Sequence, residues 1–258
     1  MRARAAPDDP PKRAMPPRAA WWYAAPPDPD AYPLRTPMSH WHLISLFGES
    51  AYLLPCAVFL SLWLYWRGAP GSARHWVLAF AAAALLVLAS KLAFLGWGIG
   101  SAALNFTGFS GHAMMAASVL PVLLYLAVPA AWRRVGWIAA SAGVGLALLV
   151  GVSRLALHAH SVSEVGGGLA VGLCVSLPFI LRRTTPHGPL AMVLASLVLA
   201  TALVMPMTGT VGASHELIQQ LAMLLSGRDR TFQRGEWAMR GRAAGHANLH
   251  AFVRPGSC

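Results

Sequence analysis

Long apolar runs dominate the chain from Ser39 to Thr210, and charged residues stand almost only between these runs. A helix needs roughly 20 apolar residues to cross the hydrocarbon core of a bilayer. Six runs approach that length, at 47–66, 76–96, 112–131, 135–153, 164–181 and 189–209. The pattern predicts an all-α, polytopic membrane protein with six transmembrane helices.

Three polar clusters interrupt this pattern. Lys91 stands at the end of the second run, and Phe109-Ser-Gly-His112 stands at the head of the third. The stretch 151–164 separates the fourth and fifth runs and contains Arg154, His158, His160 and Glu164. Burying an ionisable group at membrane depth costs several kcal/mol on most scales, so each cluster is a candidate functional site.

Arginines outside these clusters predict the orientation of the helices. They lie in three loops, as Arg67, Arg74, Arg133, Arg134, Arg182 and Arg183. With six alternating spans these loops share one side, and the positive-inside rule assigns that side to the cytoplasm. The three polar clusters are then expected to meet at the opposite, outer face of the membrane.

Composition supports a membrane partner over nucleic acid. The chain is 56% hydrophobic and 11% charged, with a formal net charge of +11. The basic residues form no solvated stripe with interleaved aromatic residues, which a single-strand binder needs. Contact with anionic lipid headgroups explains the charge more simply, so we expect no nucleic-acid partner.

The two ends of the chain differ from the apolar centre. Residues 1–37 hold ten of the nineteen prolines and are predicted to be disordered, with Met38 as an alternative start. In the last part, 211–258, helical spacing at 215–226 predicts an interfacial helix. The basic tail after Gly227 is expected to be poorly structured. These boundaries leave 38–210 as the transmembrane domain.

Ser110, Gly111 and His112 could form an anion site. Ser110 is a plausible N-cap, so the free amides of the following helical turn would offer hydrogen bonds to an anion. Gly111 permits close approach of a ligand to the backbone, and His112 adds a titratable imidazole. The alternative is an ordinary capped helix with an interfacial histidine.

The stretch 151–164 carries a second set of candidate groups. Arg154 offers a planar fork suited to phosphate oxygens, and Glu164 follows His160 by four residues, close enough to orient its imidazole. Two alternatives remain at this stage. Ser161-Val-Ser-Glu164 also fits a helix capping box, and Lys91 could simply extend to the membrane interface.

A metal site is the weaker interpretation of the same histidines. It would combine His112, His158, His160 and Glu164, but two histidines one residue apart chelate only on an extended segment. Lys91 and Arg154 would also repel a cation. The cysteines at 56, 174 and 258 lack metal-ligand spacing. We therefore expect no metal and no cofactor, and an anionic substrate.

Lys91, Phe109-Ser-Gly-His112 and Ser153-Arg-x5-His160-x3-Glu164 resemble, in this order, the three signature motifs of the type 2 phosphatidic acid phosphatase superfamily, which is related to bacterial acid phosphatases and vanadium haloperoxidases. The resemblance covers about residues 76–181. It departs from the family pattern at three places. Gly98 and Ile99 replace an Arg-Pro pair, Phe109 replaces a proline, and Glu164 replaces an aspartate.

The resemblance implies a lipid phosphatase of the bacterial inner membrane, with its site facing the periplasm or exterior. It implies that His160 is the nucleophile, oriented by Glu164, and that His112 is the general acid and base. Lys91, Arg154 and the amides around Ser110 and Gly111 would bind the phosphate oxygens. Three alternatives remain open: a catalytically weakened lipid-phosphate-binding protein, a lipid phosphotransferase and a small-ion transporter using Lys91 and Glu164.

Overall fold

The computed structural model describes residues 40–182 and 213–236. The chain divides into two units, Met1–Met38 and Ser39–Cys258, and every described residue belongs to the second unit. The predicted tail at 1–37 and the predicted sixth span at 189–209 lie outside the described residues.

Helices account for nearly all regular structure in the described ranges, where the exception is an isolated antiparallel bridge between Ser101 and Phe106. The helices are α1 (His40–Leu46), α2 (Ser50–Trp66), α3 (Pro70–Trp97), α4 (Gly111–Ala127), α5 (Arg133–Ala156), α6 (Val162–Leu181) and α7 (Ala213–Ser226). A short 3-10 turn at Ala130–Trp132 leads into α5. The predicted all-α class is confirmed for this part of the chain.

Within residues 40–182 and 213–236, four helical segments are long and apolar enough to cross a membrane, judged by length and composition: His40–Trp66, Pro70–Trp97, Ala130–Ala156 and Val162–Leu181. The third predicted run forms α4, an apolar helix of only 17 residues. Thirteen of those residues are buried, because α4 packs against α2, α3, α5 and α6. Since its neighbours surround it, α4 is the centre of the helix bundle.

The outer surfaces of the longer helices are apolar. Large side chains are exposed along α2, α3 and α5, among them Leu54, Val58, Phe59, Leu78, Leu85, Leu86, Ile138 and Leu149. Soluble monomers rarely expose apolar surface of this extent, whereas lipid tails would cover it. Inside the bundle, Trp76 of α3 donates from Nε1 to the carbonyl of Ala57 at 3.1 Å and packs edge-on against Phe179 of α6.

Glycines let α6 approach the start of α4 closely. A Cβ atom at Gly168 would lie 2.5 Å from the carbonyl oxygen of Ser110, and one at Gly167 would lie 2.6 Å from the ring of Phe109. Gly166, by contrast, has open space around it. Gly167 and Gly168 therefore bring the second turn of α6 against the start of α4.

The ends of five helical elements meet at one end of the bundle. Glu49 precedes α2, Lys91 lies in the last two turns of α3, Ser110 caps α4, Arg154 lies in the last turn of α5, and Glu164 lies in the first turn of α6. The short connections after α2 and α4 lie at the other end. This topology gathers the predicted polar clusters on one face.

Candidate active site

His160 and Glu164 form a buried pair at the start of α6. Nδ1 of His160 lies 2.7 Å from Oε2 of Glu164, and the Glu164 side chain is fully buried. A carboxylate can only accept, so Nδ1 carries the proton and Nε2 is left with a free lone pair. The arrangement fixes the imidazole as the tautomer that a nucleophile requires.

The same carboxylate also completes a capping box. Ser161 N donates to Oε2 of Glu164 at 3.1 Å, and Glu164 N donates to Oγ of Ser161 at 3.4 Å. The two roles that the sequence left open for Glu164 therefore occur together. Because the cap fixes the side chain on its own helix, it also fixes the direction from which the carboxylate meets His160.

Thr107 and Arg234 supply further donors to the carboxylate of Glu164. Thr107 donates to Oε1 from its backbone N at 2.7 Å and from Oγ1 at 2.5 Å. Arg234 adds its Nη2 at 2.7 Å from Oε1 and 2.6 Å from Oε2. A fully buried carboxylate is stable only with such compensation. Sequence reasoning identified neither Thr107 nor Arg234 as part of this site.

The first turn of α4 lies beside this pair. Ser110 N donates to the carbonyl of Glu164 at 3.0 Å, which ties the start of α4 to α6. Ser110 caps the helix without a side-chain hydrogen bond, and its buried Oγ has no partner among the described residues. The amides of the first helical turn lack intrahelical acceptors by construction. The position can therefore donate several hydrogen bonds to an anion.

Lys91 reaches the same place from α3. Its Nζ would lie 3.8 Å from a Cβ atom built on Gly111, so the ammonium group stands directly beside the start of α4. The neighbouring Ser90 accepts a hydrogen bond from Phe109 N at 3.1 Å and thereby anchors the loop that precedes α4. Lys91 thus faces the helix N-terminus, as an anion-binding cation would.

His112 has a carboxylate partner that the sequence analysis did not assign. Its Nε2 lies 2.8 Å from Oε2 of Glu49, which immediately precedes α2 and is almost buried. A signal was present in the sequence, because Glu49 and Glu164 are the only acidic residues between positions 38 and 210. Each of these two carboxylates is paired with a histidine of the site.

Arg154 is held at the site by the short helix α1. Its Nη1 donates to Oγ of Ser45 at 2.8 Å. Its buried Nε has no hydrogen-bond partner in the described part of the chain. A guanidinium group with one anchored nitrogen and an unused donor is suited to binding a phosphate oxygen.

Burial lowers the pKa of His160 below its usual value, and the positive charges of Lys91 and Arg154 act in the same direction. The hydrogen bond and negative charge of Glu164 oppose this lowering. His160 is consequently neutral near pH 7. A neutral imidazole with a free Nε2 can attack an electrophilic phosphorus atom.

His158 takes no part in these hydrogen bonds. It is exposed and adopts a left-handed backbone conformation with φ of 53° after the end of α5. Within residues 40–182 and 213–236, no group of three or more histidine, cysteine or acidic side chains is arranged to bind a metal ion.

The departure in the first motif has a local structural cause. Gly98 ends α3 in the left-handed region with φ of 71°, where side chains other than glycine are disfavoured. A Cβ atom there would lie 3.1 Å from the ring of Phe232. Ile99 is exposed. An arginine at position 98 would need a different helix end and a different place for Phe232.

Residues 228–236 follow α7 and include contacts with the end of α3. Phe232 N donates to the carbonyl of Leu95 at 2.8 Å, and the Phe232 ring is buried. The expectation of a poorly structured tail after Gly227 stays a prediction, and residues 228–236 contact the end of α3. The basic composition of this segment gave no sign that Phe232 is buried or that Arg234 contacts the buried carboxylate of Glu164.

Known proteins resemble this chain in sequence. The profile of the PAP2 superfamily matches residues 98–187. An uncharacterized 22.5 kDa protein in the cps region of Klebsiella pneumoniae is 37% identical over 201 residues, which cover 76% of this chain and 96% of that protein.

A second relative has a named activity. Phosphatidylglycerophosphatase B of Bacillus subtilis is 42% identical over 72 residues, which cover 27% of this chain and 35% of that protein. No solved structure matches the chain significantly. The sequence motifs, the profile match and these relatives agree, and the chain belongs to the PAP2 superfamily, whose members are phosphatases that hydrolyse phosphate esters.

Proposed function

We propose that this protein hydrolyses a lipid phosphate monoester or pyrophosphate through a phosphohistidine on His160. The observation that carries the proposal is the 2.7 Å contact between Nδ1 of His160 and the buried Glu164, at the end of the bundle where Lys91 and Arg154 also lie. This contact leaves Nε2 as a nucleophile in a site built for an anion.

In the first step, Nε2 of His160 forms a bond to phosphorus while the bond from phosphorus to the leaving oxygen breaks. His112 gives a proton to that oxygen, so the lipid leaves as an alcohol or as a lipid phosphate. Nε2 of His112 contacts Glu49, and Nδ1 is therefore the ring nitrogen that remains to exchange a proton with the substrate. Glu49 stabilises the protonated imidazole that this step requires.

In the second step, water attacks phosphorus and the bond from phosphorus to Nε2 of His160 breaks. His112 accepts the proton of the attacking water, which releases inorganic phosphate and restores both histidines. Lys91, Arg154 and the amides around Ser110 and Gly111 stabilise the negative charge on the phosphate oxygens. These groups supply the electrostatic stabilisation without a metal or another cofactor.

Lipid is the proposed substrate class because the site lies at one end of an apolar helix bundle. The match to phosphatidylglycerophosphatase B supports phosphatidylglycerol phosphate as one candidate. Undecaprenyl pyrophosphate, phosphatidic acid and lipid A phosphates share the same reacting group. We further propose a domain at 38–210 with six spans, including 189–209, in the bacterial inner membrane. The positive-inside rule favours an active site on its outer face.

The test uses the purified full-length protein with EDTA and a panel of these four lipid phosphates. We expect the wild type to release phosphate or shorten a pyrophosphate, and we expect His160→Ala and His112→Ala to abolish that release. His158→Asn is the matched control, because asparagine also tolerates the left-handed conformation. If both alanine variants kept wild-type rates, the site assignment would be wrong.

The alternatives give different results in the same experiment. A lipid-phosphate-binding protein would bind the panel without any turnover, and a phosphotransferase would pass phosphate to a lipid acceptor when one is added. A small-ion transporter would show flux across vesicles and no phosphoenzyme.

A further inference from the structure

Arg234 joins the segment after α7 to the centre of the candidate active site. Its Nη2 lies 2.6 Å and 2.7 Å from the two oxygens of Glu164. It also donates to Oγ1 of Thr107 and, through Nη1, to Oδ1 of Asn105, both at 3.2 Å. One guanidinium group therefore contacts both the catalytic carboxylate and the loop that precedes α4.

The segment that carries Arg234 is anchored on the end of α3. Phe232 lies two residues earlier, and its ring is 6% exposed. Its backbone N binds the carbonyl of Leu95, and the guanidinium of Arg228 stacks 3.8 Å from the centre of its ring. With Phe232 fixed in this way, Arg234 has a defined direction of approach to Glu164.

The ring of Phe232 packs against Gly98, which is where the first motif departs from the family pattern. The left-handed Gly98 leaves room for the Phe232 ring, which a Cβ atom would approach to 3.1 Å. The chain thus lacks the arginine that the first motif usually carries, and a different arginine enters the site from the C-terminal segment. Arg234 does not replace the missing group directly, because it binds the carboxylate.

We propose that Arg234 is a positioning residue that acts on His160 through Glu164, an inference that rests on the proposed function. Arg234 bridges both oxygens and Thr107 holds Oε1, so together they fix the plane of the carboxylate, and Oε2 is thereby aimed at Nδ1 of His160. Without Arg234 the carboxylate can rotate, and the hydrogen bond from Nδ1 of His160 to Oε2 is then less well fixed. His160 then spends less time with Nε2 free and directed at phosphorus.

The role differs from simple stabilisation of the fold, and the difference is measurable. A positioning role predicts loss of kcat with little change in KM, because the substrate-binding groups Lys91 and Arg154 remain. It also predicts a change in the acid limb of the pH profile, because Glu164, Lys91 and Arg154 act on the pKa of His160 and Arg234 contacts the oxygen of Glu164 that His160 contacts. Removing the positive charge of Arg234 favours protonated His160, so the acid limb moves to higher pH.

The experiment compares Arg234→Ala and Arg234→Lys with Arg230→Ala in full-length protein, using the lipid phosphate that the wild type hydrolyses fastest in the panel above. Arg230 is the control because it lies on the same segment and its side chain is 75% exposed. We expect Arg234→Ala to lower kcat about 10-fold to 100-fold and Arg234→Lys to lower it less. Arg230→Ala should match the wild type.

Chemical rescue separates positioning from folding. Guanidinium chloride at millimolar concentration should raise kcat of Arg234→Ala, and it should not raise kcat of His160→Ala. Thermal unfolding of each variant shows whether the fold is retained. Wild-type kcat and an unchanged pH profile in Arg234→Ala would overturn the inference while leaving the proposed function intact. No turnover by the wild type would instead overturn the proposed function.

Discussion

Glu49 and His112 contact each other at 2.8 Å across 63 positions of sequence, and they form a second histidine–carboxylate pair beside His160 and Glu164. The two pairs differ in the nitrogen that the carboxylate contacts. Glu164 contacts Nδ1 of His160, whereas Glu49 contacts Nε2 of His112. We assign the pair of His160 and Glu164 to nucleophilic attack, and the pair of His112 and Glu49 to proton transfer.

The proton-transfer role of the second pair predicts an effect that depends on the leaving group. Glu49→Gln should lower kcat about 10-fold to 100-fold on a lipid phosphate, whose alkoxide must be protonated as it leaves. The same substitution should have little effect on p-nitrophenyl phosphate, because nitrophenolate leaves without protonation. Steady-state kinetics with both substrates checks this prediction. An equal loss on both substrates would show that Glu49 acts on something other than the departing oxygen.

Alanine substitutions at Gly111 and Gly168 should have different effects, the first on phosphate binding and the second on the stability of the fold. A Cβ atom at Gly111 would meet Lys91 Nζ at 3.8 Å and Val87 at 3.9 Å, both ordinary contacts. We expect Gly111→Ala to fold normally but to lose activity, because its methyl group occupies the approach of the phosphate to the first-turn amides. Gly168→Ala should instead be destabilised by about 1–3 kcal/mol, since its Cβ meets the Ser110 carbonyl oxygen at 2.5 Å.

Gly166→Ala is the matched control on α6, because open space surrounds that glycine. Thermal unfolding and phosphate release are measured for all three variants. Normal turnover by Gly111→Ala would argue against phosphate binding at the start of α4.

The hydropathy pattern predicted the helices well and the tertiary contacts only in part. The run at 76–96 became α3 at Pro70–Trp97, and the run at 164–181 became α6 at Val162–Leu181. These helices were predictable because each is a continuous local signal. The third run gave a helix of 17 residues, since helix–helix burial replaces lipid contact around α4 and a full membrane length is not required.

The site was predictable where its residues lie within one motif. His160 stands just before the N-cap Ser161 and Glu164 lies in the first turn of α6, so the local geometry of the helix start brings them together. Glu49 lies 63 positions from His112, and Arg234 lies 70 positions from Glu164. No local sequence pattern indicates contacts between residues so far apart. Their contacts arise from the packing of helix ends, which depends on the whole bundle. The scarcity of acidic residues in the membrane region was the one available clue to Glu49.

The pKa of His160 gives a prediction about pH. Burial, Lys91 and Arg154 lower this pKa, so the imidazole stays neutral below the usual midpoint of about 6.5. The acid limb of kcat/KM for the wild type should therefore lie below that pH. In Glu164→Gln the opposing negative charge is lost, so the acid limb should move to still lower pH while the plateau rate falls. An acid limb that moves to higher pH in Glu164→Gln would contradict the assigned pair.

The central claim is that His160 carries the phosphoryl group between the two steps. The direct measurement is mass spectrometry of the protein quenched at alkaline pH during turnover of a lipid phosphate, since phosphohistidine is labile in acid. We expect phosphate on His160 in the wild type and none in His160→Ala. Phosphate on another residue, or wild-type phosphate release by His160→Ala, would contradict the account.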